Sequence, residues 1–154
     1  MTSTDGGKAT KGESPIEKEW VHAGLKCKVI FVRHAHRCGY VAGPKGHLAY
    51  AKSYDDIDVS VHGGLTYGET KDGLTWFGFD CAHSGDAMSG EMAKYNFDRD
   101  AHFWILDEVV KETNRLAEQL RDLTESQTLP YGVKEFLRAT PFAKVKQLQG
   151  ELRA

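Results

Sequence analysis

The chain has 154 residues, a formal net charge of −2 and 40% hydrophobic content. That length suits one domain with a sizeable core, and the charge balance lacks the basic footprint of a general nucleic-acid binder. No apolar run reaches the roughly 18 residues of a membrane span, the N-terminus has no apolar signal-peptide core, and three cysteines without a disulfide-framework pattern fit a reducing compartment, so the expectation is a cytoplasmic protein.

Residues 1–15 are almost devoid of apolar side chains. Such a segment cannot bury enough surface to offset its ordering entropy, which predicts a flexible N-terminal tail ahead of a single domain over residues 16–154. Trp20-Val21 and the run from Leu25 to Val32 flank the turn His22-Ala23-Gly24, and Cys27-Lys28-Val29-Ile30-Phe31-Val32 reads as a strand. Arg33-His34-Ala35-His36-Arg37 reads as a connection, and Cys38-Gly39-Tyr40-Val41 as a second short strand stopped by Gly43-Pro44. Residues 44–58 form a long connection with room for one helical turn, and carry Asp55, Asp56 and Asp58.

The next stretch predicts a hairpin. Val59, Val61, Leu65 and Tyr67 alternate with polar or small residues, as do Phe77, Phe79 and Cys81 in a second arm, across a connection that ends in Asp72-Gly73. Keeping both apolar faces on one side pairs Leu65 with Phe77 and Val61 with Cys81. On the other face it pairs Thr66 with Trp76, Gly64 with Gly78, and His62 with Asp80. An imidazole and a carboxylate would then face each other beside a bare glycine floor, a feature that often marks close approach of a ligand or another backbone. The competing reading is a glycine pair that only relieves twist or admits a neighbouring aromatic, with His62 and Asp80 as a cross-strand pair on a solvated face.

Residues 87–100 predict a loop or short helix. Phe103, Leu106, Val110, Thr113, Ala117 and Leu120 then make an apolar stripe at helical spacing over about residues 101–123, with Asp98 or Asp100 available as cap. Two shorter helices are expected after Pro130: Tyr131 to Arg138, and one opened by Thr140-Pro141. The pattern as a whole predicts an α+β fold, an antiparallel β-sheet packed on one face by C-terminal α-helices.

The chemistry concentrates at the exit of the second arm, where Asp80, His83 and Asp86 crowd a Ser84-Gly85 turn with His62 expected opposite. Imidazole and carboxylate are ordinary metal ligands, although no HExxH or paired CxxC motif is present; Cys81 falls on the apolar face and reads as a buried, inert thiol. Three functions follow. The first is binding of a small anionic or nucleotide-like ligand over Gly64 and Gly78, with Trp76, Tyr67 and Tyr40 stacking on a base and Arg33, Arg37 and His62 meeting phosphates. The second is a metal-assisted hydrolase using His62, Asp80, His83 and Asp86. The third is an inhibitor that binds a host protein and uses the sheet only as a scaffold.

Cys38-Gly39-Tyr40-Val41, Pro44, Gly46-His47, the run from Val61 to Tyr67 and the run from Trp76 to Asp86 together resemble a family of small proteins of bacteriophages, prophages and bacteria, as does Leu116-Ala117-Glu118-Gln119-Leu120. The resemblance covers most of residues 20–123; the family pattern more often has proline where this chain has Leu48. It implies a small intracellular phage-associated protein, for which sequestration of a host signal would suit the first function, and it supplies no activity.

Overall fold

The computed structural model describes residues 15–139. The expected tail, up to residue 14, and the helix expected from Thr140 lie outside these residues. Five strands form one antiparallel sheet: β1 (Ile16–His22), β2 (Leu25–Val32), β3 (His36–Pro44), β4 (Tyr67–Lys71) and β5 (Leu74–Asp80), in the order β1-β2-β3-β5-β4. Helix α1 (Leu106–Arg121) crosses one face and α2 (Tyr131–Ala139) follows it, which is the α+β architecture the pattern predicts. No helix among the described residues is long and apolar enough to cross a membrane.

Local chemistry explains the turns. Ala23 and Gly24 have φ of 54° and 77°, and Asp72 and Gly73 have φ of 54° and 78°. Two successive left-handed residues make the tight connection whose twist matches a hairpin. Strand β3 is longer than expected, because His36 and Arg37 already pair with Val32 and Phe31. A single 3-10 turn, Tyr54–Asp56, interrupts the long connection between β3 and β4.

The core forms where Cys27, Val29, Val41, Phe77 and Phe79 on the inner face meet Val109, Leu116, Ala117 and Leu120 of α1. Gly39 permits this approach: a Cβ there would lie 2.2 Å from Thr113 Oγ1 and 2.6 Å from the Phe79 ring. The polar flank of α1 fastens the segment before β4. Gln119 accepts from Ser60 N at 2.8 Å and donates to Ser60 O at 2.8 Å, while Glu112 accepts from His62 N at 2.7 Å.

Two expectations are corrected. The hairpin register is shifted by three residues: Tyr67 opposes Gly78 and Glu69 opposes Trp76. The two-residue Asp72-Gly73 turn sets that register. Residues 60–64 leave the ladder, drawn to α1 by Glu112 and Gln119, and Gly63 and Gly64 turn the backbone with φ of 69° and 80°. The long helix begins at Leu106 rather than at residue 101, and neither Asp98 nor Asp100 caps it. Ile105 holds the N-cap, with its N–H donating to Glu108 Oε1 at 3.0 Å. The preceding residues are claimed by another partner, since His102 pairs with Asp86 as a parallel bridge.

Candidate functional site

Beyond Asp80 the chain turns sharply. Cys81 is buried in the core, which confirms its place on the apolar face. Asp86 N donates to His83 O at 2.9 Å, His83 N donates to Asp86 Oδ2 at 2.9 Å, and Gly85 has φ of 91°. The turn is clamped from outside by Ala87 N donating to His102 O at 2.7 Å and His102 N donating to Gly85 O at 2.8 Å.

This folds the Asp86 side chain inward, where it is only 3% exposed. Burial alone would raise its pKa, but the bonds from His62 and from the backbone and ring of His83 outweigh it and hold the carboxyl below the ordinary aspartate range. His62 Nε2 lies 2.9 and 2.8 Å from the two carboxylate oxygens, His83 Nδ1 lies 3.3 Å from Oδ2, and Trp104 Nε1 donates to Oδ1 at 3.1 Å. The His62 ring sits against Trp104 with centroids 4.3 Å apart, and edge-on to His83 at 5.4 Å. One ligating atom from each of His62, His83 and Asp86 lies within 4.8 Å of the other two. For metal bonds of about 2.0–2.2 Å in tetrahedral geometry, ligand atoms sit roughly 3.4 Å apart. The spacing therefore accommodates an ion after small side-chain movements.

Asp80 adjoins this centre rather than facing His62. Its Oδ1 lies 3.5 Å from His83 Nδ1 and accepts from Ala82 N at 3.0 Å; its Oδ2 accepts from Thr66 Oγ1 at 3.0 Å. The loop from Ala82 to Asp86 separates two clefts. One, of about 300 Å³, is walled by His83 and Asp86 on one side and by Met88, Tyr95 and Phe97 on the other. The second, of about 370 Å³, lies on the outer face of the sheet between His36, Tyr40, Thr66, Tyr67 and Asp80.

The glycine floor does not form. Gly78 is bare because the Tyr40 ring lies across it: a Cβ would meet Tyr40 Cδ1 at 2.5 Å. Gly64 has open space around it, whereas a Cβ on Gly63 would fall 2.1 Å from His83 Cε1. Tyr40 and Tyr67 do come together, edge to face at 5.3 Å. Trp76 lies one rung away beneath Lys28, whose Nζ is 4.2 Å from its ring centroid. Arg33 sits exposed in the β2–β3 loop. Arg37 is on the helix-covered face, bonded to Glu17 at 2.7 Å and packed 4.1 Å from the Phe31 centroid. Neither arginine lines either cleft.

Three participants escaped the sequence reading. Trp104 was assigned to the helix. Glu112 lies off the apolar stripe that marks the helix, yet it holds the His62 backbone. His36 was placed in a connection, although His36, Cys38 and Tyr40 alternate on one strand face and that alternation was available as a signal. Its Nδ1 is buried without a hydrogen-bond partner. Burial lowers its pKa against the opposing pull of Asp80 and Asp86. Comparison with family models, with curated proteins and with solved structures finds no match to this chain.

Proposed function

We propose that the protein is a metal-assisted hydrolase whose ion is held by His62, His83 and Asp86. The observation that carries this reading is the convergence of two imidazoles and one buried carboxylate within 4.8 Å, with His83 and Asp86 forming a wall of an open cleft. Two histidines and a carboxylate with a free fourth position are a ligand set of catalytic zinc sites. The ion would supply Lewis acidity and an acidified bound water. The chain's own residues supply the rest. Trp104 and the His83 backbone orient the Asp86 carboxylate, Glu112 fixes the His62 backbone through its N–H, and Asp80 stands 3.5 Å from the His83 ring as an orienting carboxylate.

The test is calorimetric titration of chelator-treated protein with Zn²⁺, paired with hydrolysis of p-nitrophenyl acetate. One ion per chain is expected, with ester hydrolysis that depends on it, and both are lost in His83→Ala while the circular dichroism spectrum is kept. Absence of Zn²⁺ binding by the parent protein would refute the reading.

A further inference from the structure

The second cleft carries a different chemistry. Three side chains of β3, His36, Cys38 and Tyr40, point to the face of the sheet away from α1, with Cys38 opposite Asp80 and Tyr40 opposite Gly78. On the far side of β5, Tyr67 opposes Gly78 as well. Two phenol rings thus flank a bare strand position, with a carboxylate on the next rung. Burial keeps both phenols in the neutral form, pushing the Tyr40 pKa well above its usual range and that of Tyr67 upward, and raises the Cys38 thiol to about 11. Asp80 is therefore the formal charge among the lining residues described, with no lysine or arginine beside it.

Each Asp80 oxygen takes one bond, from Ala82 N and from Thr66 Oγ1, with His83 Nδ1 at 3.5 Å from Oδ1. That leaves accepting capacity toward the cleft. His36 Nδ1 is buried without a partner. Aromatic faces beside a carboxylate are the combination that recognises organic cations. The same face already uses this attraction, because Lys28 Nζ lies 4.2 Å from the Trp76 centroid and 5.6 Å from that of Tyr40. Lys28 is opposed by Glu19 and Glu69, which both act on it electrostatically, so the face is not cationic. A volume of about 370 Å³ matches a small molecule.

We propose that this cleft binds a small organic ammonium ion, with its N–H groups on the Asp80 carboxylate and its carbon body against Tyr40 and Tyr67. An anion is disfavoured there, since it would meet Asp80 with no cation lining the cleft. The cleft shares Asp80 with the surroundings of the metal centre but is lined by none of the three proposed ion ligands.

The experiment is an NMR titration of the isotope-labelled full chain with three probes of one shape: benzylamine, which is cationic at neutral pH, benzyl alcohol and benzoate. Benzylamine is expected to shift the amides of Cys38, Tyr40, Gly78 and Asp80 saturably, with the other two probes at least tenfold weaker. Asp80→Asn is expected to weaken benzylamine at least tenfold. Tyr67→Ala, on the exposed edge strand, tests the aromatic wall without touching the carboxylate and is expected to weaken it severalfold. His62→Ala is expected to leave benzylamine binding unchanged while abolishing Zn²⁺ binding, which separates this site from the metal reading. Equal binding of alcohol or benzoate, unchanged affinity in both Asp80→Asn and Tyr67→Ala, or no saturable shift up to the solubility limit of benzylamine would overturn the proposal.

Discussion

The two clefts flanking the loop from Ala82 to Asp86 differ in how completely their polar groups are satisfied. On one side, the Asp86 carboxylate receives the His62 ring, the His83 ring and backbone, and the Trp104 indole N–H. On the other, His36 Nδ1 is buried with no partner, and Asp80 is only partly engaged. A saturated carboxylate is a rigid node whose donors can exchange for an ion, whereas an unpaired buried nitrogen costs free energy until something bonds to it. The contrast teaches that preorganisation and vacancy are distinct marks of a site. The first is read from bonds present and the second from bonds missing.

The largest effect expected is one that abolishes the contrast altogether. Phe79 is 1% exposed and packs under both Gly39 and α1. Phe79→Ala should cost about 3–5 kcal/mol and lower the melting temperature enough to remove both clefts together. A near-parental melt would mean that the inner face of β5 is misassigned.

Asp86→Ala should strike one side only. It strands two imidazoles and an indole N–H, and loss of one partner in such a buried network costs about 3 kcal/mol. Chemical denaturation should register that loss, while the amide shifts of Tyr40 and Gly78 stay near their parental positions. Equal disturbance on both sides would show the clefts to be a single cooperative unit.

The paired glycines sharpen the comparison further. Both Gly63 and Gly64 have positive φ, so alanine at either pays roughly 1–2 kcal/mol of backbone strain. Only Gly63→Ala also drives a methyl group into the His83 ring. Gly63→Ala should therefore be the more destabilising of the two and should reduce Zn²⁺ affinity, with Gly64→Ala leaving affinity intact. Matching calorimetric curves for the two variants would contradict this.

The smallest effect belongs to the start of α1. The Ile105 N–H holds the Glu108 carboxyl below the usual glutamate range, with burial opposing it and His102 adding to it. A depressed carboxyl pKa stabilises the fold above the unfolded-state value, and that contribution disappears as pH falls through the lower folded value. Glu108 is largely solvated, so Glu108→Gln should cost only about 0.5 kcal/mol at neutral pH. The gap should vanish in acid. A gap that persists at low pH would place the effect elsewhere than in the carboxylate charge.

Particular residues show how far the sequence could be read. The Asp72-Gly73 turn, the β2 run, the α1 stripe of Val110, Thr113, Ala117 and Leu120, and the crowding of His83 and Asp86 around Ser84-Gly85 were all legible, because turn chemistry and apolar periodicity operate over a few neighbouring residues. The register between the hairpin arms was not, since alternation alone is satisfied by more than one alignment and the two-residue turn selects among them.

By itself, the sequence determined an antiparallel sheet with a helical cover and a titratable cluster at the end of β5. Only the tertiary structure decided which groups complete that cluster. Trp104 reaches Asp86 across 18 positions, and Glu112 reaches the His62 backbone across 50. Tyr40, not a ligand, occupies the space above Gly78. These partners are set by how α1 closes on the sheet and pulls the segment before β4 out of the ladder.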